Sequence, residues 1–212
     1  MFVRNTQQQF RISNADVKMF YGSAASPTAP YTWNKPPGVG NIYMLLIGAG
    51  GSGDGTTGGG CGGVSSWVGA ARHVPDSLIV SVGSAESDTV IRYRTPSATL
   101  ADLVTAFGAV GNLAASQATA TFFTAMGFAT FVAGVPGQTS SVTASTTTFL
   151  TQGGATSIIG AWGYTNTLNG TFQIQPVLSG LGAVSSGKGG IGCGGGLTSG
   201  TGGPGMALIA SW

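Results

Sequence analysis

The sequence predicts a mostly-β, sandwich-like protein whose strands are joined by glycine-rich connections and accompanied by one or two short helices. Three observations carry this reading. Glycine supplies 38 of the 212 residues and is concentrated in two runs. Short apolar or alternating segments, separated by turn residues, recur along the chain. Charged residues are 7% against 42% hydrophobic, far below the usual charged share of about 25%. Intrinsic disorder goes with low hydrophobicity and high charge, so that class is excluded. Collagen is excluded as well, because glycine does not fall at every third position.

The elements follow in order. Residues 1–30 read as an N-terminal arm that ends in the small-residue linker SAASPTAP. Residues 31–212 read as one glycine-rich β domain with a long, uncharged insertion over about 86–186. In YTWNKPPGVG, Pro36, Pro37 and Gly38 suit a turn into a strand. Residues 42–47, IYMLLI, are apolar on both faces, which predicts a strand buried on both sides. VSSWVGA at 64–70 and SLIVSV at 77–82 read as strands. DTVIRYR at 88–94 alternates, with Val90, Arg92 and Arg94 on one face and Thr89, Ile91 and Tyr93 on the other.

The period then changes. Leu100, Leu103, Val104 and Phe107 fall at i, i+3, i+4 and i+7, Thr99 and Asp102 resemble a capping box, and Gly108 suits a stop. This spacing predicts a short amphipathic helix over 97–107. Residues 114–126 offer a second helix, weakened by Thr119, Thr121 and Thr124. SSVTASTTTFL and GTFQIQPVL read as strands, and GMALIASW closes the chain with an apolar strand.

Charge is unevenly placed. From Leu103 to Trp212 the only charged residue is Lys188. An uncharged half of this length is hard to keep soluble as a free monomer, which favours burial against partner subunits. The expectation is a homo-oligomer, taken here to be a trimer. The net charge of +2, with no basic run, gives no electrostatic footprint for nucleic acid. No window of about 20 residues is continuously apolar, so no membrane span is expected. The polar opening MFVRNTQQQF lacks the apolar region of a secretory leader.

The motifs that could carry chemistry are weak. GAGGSG at 48–53 fits the dinucleotide pattern, but that loop must open a helix, and DGTTGGGCGGVSSW follows it. Glycine costs about 1 kcal/mol per helical position relative to alanine, so no helix is expected to start there. Lys188 in SSGKGG lacks the following Ser or Thr of a phosphate loop. The sole histidine, His73, lies near Asp76 between two strands, with neither a nucleophile elbow nor a second imidazole for zinc. Glu86 and Asp88 could act as a glycosidase pair only across a cleft of about 5–10 Å. Arg92 and Arg94, close in sequence to Arg72, could meet an anion or a partner's carboxylate. No catalysis, cofactor or metal site is expected. Cys61 in GGGCGG and Cys193 in IGCGGG are either two small buried residues or a bonded thiol pair.

The glycine runs need their own explanation. Glycine lets backbones approach closely, so two runs can pack as side-by-side extended helices of the polyglycine-II type. The order YTWNKPPGVGNIYMLLIGAGGSGDG, GGGCGGVSSWV, VPDSLIVSVGSA and a closing GGPGMALIASW resembles the glycine-rich domain of bacteriophage tail-fibre and other virion proteins. The matching positions are Trp33, Pro36, the strand 42–47, Val80 to Gly83, and Gly203 to Trp212, so the likeness covers about 31–85 and 187–212. It implies a β-sandwich-like domain, a place on a virion and contact with a host surface, without catalysis. The chain departs from the fibre pattern in having no stalk repeats and an uncharged middle. Both departures favour a compact capsid-associated decoration or spike subunit that packs against sister subunits or the major capsid protein. The alternative is a receptor-binding adhesin at a tail or fibre tip, meeting host glycan or outer-membrane protein through Trp67, Trp162, Tyr164, Arg92 and Arg94.

Overall fold

The computed structural model describes residues 16–22, 29–116, 127–134, 136–137, 149–150, 165–166, 189–195 and 200–212. Its strands are β1 (Asp16–Tyr21), β2 (Tyr31–Asn34), β3 (Asn41–Ile47), β4 (Val64–Ala70), β5 (Ser77–Ser81), β6 (Thr89–Arg94), β7 (Leu100–Ala106), β8 (Gly127–Val132), β9 (Phe149–Leu150), β10 (Thr165–Asn166) and β11 (Met206–Ser211). Five form one antiparallel sheet in the order β1-β11-β3-β4-β8, and four form another in the order β2-β5-β6-β7. β9 and β10 pair as a short ladder. The protein is therefore mostly β and sandwich-like.

Alternation along the strands makes the core. In β3, Ile42, Met44 and Leu46 point inward, beside Trp67 of β4 and Ala207 and Ile209 of β11. Trp33, Leu78, Val80, Ile91 and Val104 meet them from the second sheet. Trp67, the largest fully buried side chain, sits in the inner row that runs from Met44 to Ala129 across the sheet. Gly127 lies over it, and a Cβ there would stand 2.6 Å from the indole. Phe20 and Tyr31 stack at the rim with ring centroids 5.3 Å apart.

The helix expected over 97–107 is instead β7, and among the described residues the only helical turn is a 3-10 turn at Ala71–His73. The cause is a β-bulge. Ile91 pairs with Val104 and Arg92 with Asp102, so Leu103 is an extra residue. The bulge reverses the inward-outward phase, and the adjacent Leu103 and Val104 are both buried. Two successive buried residues inside an alternating strand imitate helical spacing. Thr99 is not a helix cap: its carbonyl accepts the Thr95 N–H at 2.8 Å to close the β6–β7 turn, where Ala98 takes a φ of 62°. Nearly all of the second expected helix, 114–126, lies outside the described residues, as do the strands read in SSVTASTTTFL and GTFQIQPVL apart from Phe149 and Leu150.

Besides β7, four strands were not expected. Asp16–Tyr21, within the segment read as an arm, is an edge strand on β11, and Tyr31–Asn34 pairs with β5. The others are β8 (Gly127–Val132), the far edge strand on β4, and β10 (Thr165–Asn166), which pairs with β9. The expectation that residues 42–47 are buried on both sides also needs correction. Tyr43 and Leu45, on the outer face of β3, are only half-buried.

Candidate functional site

Two features stand apart from an ordinary sandwich: the layer built by the glycine runs and the outer face of the five-stranded sheet. The layer begins where β3 ends. Gly48 and Gly51 donate their N–H groups to the carbonyls of Gly63 and Gly60, while Gly50 and Gly53 donate to Gly203 and Gly200, all at 2.8–2.9 Å. Ala49 donates to the Ser87 carbonyl at 3.1 Å, and Ser52 to the Glu86 carboxylate at 3.0 Å. Donors three residues apart thus address the same neighbour. That is the signature of a three-residue-per-turn extended helix, whose successive N–H groups point in three directions. The returning segment repeats it: Gly59 and Gly62 bond Gly195 and Gly192, and Gly60 and Gly63 bond Gly111 and Phe107.

Glycine is required here by contact. A Cβ on Gly50 would collide with the Cys193 carbonyl, one on Gly62 with that of Gly48, and one on Gly202 with that of Gly50. The expected polyglycine-II packing is therefore present as a hydrogen-bonded bundle continuing from one end of the sandwich. Cys61 and Cys193 occupy opposite register positions between the Gly59–Gly195 and Gly62–Gly192 bonds. Both are fully buried.

The acidic residues serve this bundle. Glu86, at a φ of 64°, accepts the N–H groups of Ser52 at 3.0 Å and Gly111 at 3.4 Å, and Asp88 accepts that of Gly108 at 2.8 Å. The candidate carboxylate pair is thus committed to backbone amides. Asp54 closes the 54–57 turn. The Thr56 N–H, then the Thr57 N–H and the Thr56 hydroxyl, hold its carboxyl below the usual range, and Asn112 reaches its second oxygen at 3.2 Å. The segment after GAGGSG is the 54–57 turn followed by non-helical glycine backbone, so no helix opens there.

Other candidate residues are placed as follows. Trp67 is fully buried between the sheets, which corrects its reading as a receptor contact. Arg92 is paired with Asp102 at 2.7 Å and reaches the Ser81 hydroxyl at 3.3 Å, while Arg94 donates to the Ala98 carbonyl at 3.5 Å. Arg72 donates to His73 at 3.3 Å in the 3-10 turn. Asp76 pairs with Lys35 at 2.7 Å, whose ammonium also holds the carbonyls of Ala71 and Val74. Trp162, Tyr164 and Lys188 lie outside the described residues. Among the described residues no group of three or more His, Cys, Asp or Glu is arranged to hold a metal, and no helix is long and apolar enough to cross a membrane.

The outer face of the five-stranded sheet was missed. Register places Val17, Ala210, Tyr43, Val68 and Phe128 in one row and Met19, Leu208, Leu45, Ser66 and Thr130 in the next. A third row, Tyr21, Met206, Ile47, Val64 and Val132, lies beside the bundle and is buried at its centre. None of these positions is charged. Phe128 is 84% exposed and Val17 50%. Burial raises the Tyr43 phenol above its usual pKa, partly offset by a hydrogen bond with Ser66. The signal available in sequence was the alternation of Val17, Met19 and Tyr21 with Asp16 and Lys18.

No protein-family model matches the chain, and comparison with curated proteins gives no match.

Proposed function

We propose that this protein is a structural component of a bacteriophage virion, a capsid-associated decoration or spike subunit that works by packing as an oligomer. The observation that carries the reading is the glycine bundle. Its segments are the ones whose order resembles virion glycine-rich domains, and their amides and carbonyls are spent on one another, which makes a closely packed scaffold of backbone. The acidic residues that could have served hydrolysis instead bind the scaffold's amides. The role is mechanical.

A second reading, a tail- or fibre-tip adhesin, is favoured by one feature. The bundle holds the 54–57 and 110–113 turns together through Asp54 and Asn112, and leaves Val110 and Leu113 62% and 67% exposed. Labelled protein offered in parallel to host cells and to capsids stripped of it tests both. Retention on capsids alone is the expected result. Retention on cells alone supports the adhesin, and retention on neither sinks both.

A further inference from the structure

We propose that the outer face of the five-stranded sheet is a self-association surface, on which a second copy of this chain packs sheet against sheet. The inference deepens the oligomeric reading above and rests on it for biological purpose, but its physical basis is the face itself.

Size is the first argument. Five strands at about 4.8 Å spacing and five residues at about 3.4 Å rise give a flat footprint of roughly 400 Å² per copy. The row beside the bundle is buried at its centre, so the open part is the two outer rows. An uncharged patch of this size falls within the ~300–600 Å² of the largest patch on a typical monomer, and such patches are often functional.

Chemistry is the second. β3 and β11 are apolar on both faces, a pattern that belongs to strands covered on both sides. In this sheet the inner face is covered by the second sheet, while Tyr43, Leu45 and Leu208 on the outer face remain half-exposed. The face offers no charge for a charged partner to recognise. An uncharged, flat surface is complementary to itself, and a two-fold axis through it closes the assembly without leaving a further sticky surface. Two such faces stack about 10 Å apart, as sandwich layers do. The edge is guarded against the competing mode. Lys18 projects from edge strand β1 on the other side of the sheet, in register with Ile209, a placement that discourages edge-to-edge extension. The pair predicted is therefore face to face, and a dimer rather than the trimer expected from sequence.

Sedimentation of the purified full-length protein should give twice the 21.0 kDa chain mass. Phe128→Asp places a charge on the most exposed apolar position of the face and should weaken the dimer at least about tenfold, with an unchanged circular dichroism spectrum. Leu45→Lys should do the same from the centre, and Leu100→Asp, on the other sheet, should leave the mass unchanged. If Leu45→Lys fails to fold, Phe128→Asp still decides, because that side chain contributes little to the core. A single-chain mass at the highest soluble concentration overturns the proposal, including the case in which hydrogen exchange shows the face protected by the chain's own residues. A trimer mass, or a dimer indifferent to Phe128→Asp, also overturns it. Capsid retention by a monomeric wild type would sink this inference and leave the virion reading standing; a dimer retained on neither capsids nor cells would do the reverse.

Discussion

The sandwich and the glycine bundle are both buried and hydrogen-bonded, yet they are held by different forces. Between the sheets, Trp67, Met44, Leu46, Leu78 and Ile91 fill space with side chains, and stability comes from apolar area removed from water. In the bundle, side chains are almost absent, and neighbouring backbones touch directly. Little hydrophobic gain is available there. Satisfied amides and carbonyls must offset the large conformational entropy that glycine loses. The lesson is one of tolerance. A side-chain core can relax partly around a missing group, whereas a backbone lattice has no soft element to move.

That contrast can be broken by substitution. The largest effect is expected for Trp67→Ala, about 3–5 kcal/mol of stability lost in chemical denaturation, because the cavity lies at the centre of both sheets. Next comes Gly50→Ala. One added methyl should cost roughly 2–3 kcal/mol, since its Cβ collides with a backbone carbonyl rather than with a flexible side chain. Gly55→Ala sharpens the point: with a φ of 97° and no atom within 4 Å of the new Cβ, it should cost only about 1 kcal/mol, the backbone term alone. If Gly50 and Gly55 respond alike in thermal melts, the lattice is not rigid in the sense described. Smaller again is Arg92→Ala, whose partly exposed ion pair with Asp102 should be worth less than about 1 kcal/mol.

Titration gives the mildest test. The Tyr43 pKa is raised in the folded protein, so its contribution is fully present below the unfolded value of about 10 and declines as pH rises beyond it. The exposed Asp54 carboxyl is lowered, so its contribution is present above about 3.8 and is lost on further acidification. Melting temperatures followed at both extremes should fall in those directions, and the alkaline fall should vanish in Tyr43→Phe.

Much of this architecture was legible in the residues. The alternation of SLIVSV and TVIRYR, the apolar run IYMLLI and the closing MALIAS all became strands near their expected bounds. Glycine density indicated extended packed helices. Other features were hidden for physical reasons. The bulge at Leu103 converted a period of two into an apparent period of 3.6, and Thr99 with Asp102 completed the imitation of a helix. β1 was obscured because Val17, Met19 and Tyr21 face outward while Lys18 shares the inward side with Phe20, a mixed pattern that does not announce a buried face. The pairing of 48–53 with 58–63 and 200–203 had no signature, because one glycine run is chemically the same as another. The outer face was half-legible: IYMLLI announced two apolar faces, but not that one would be left open.

The bundle also constrains how this protein can drift. A single-base change in a glycine codon yields Ala, Ser, Cys, Val, Asp, Glu, Arg or Trp, and every one of these adds a Cβ. At Gly50, Gly62 and Gly202 that atom has nowhere to go. Ala49, Cys61 and Cys193 mark lattice positions where a small side chain does fit, fully buried. Sequence change in descendants should therefore collect in the turns at 54–57 and 110–113, where the lattice ends, while the lattice itself passes unaltered through lineages that no longer resemble one another elsewhere.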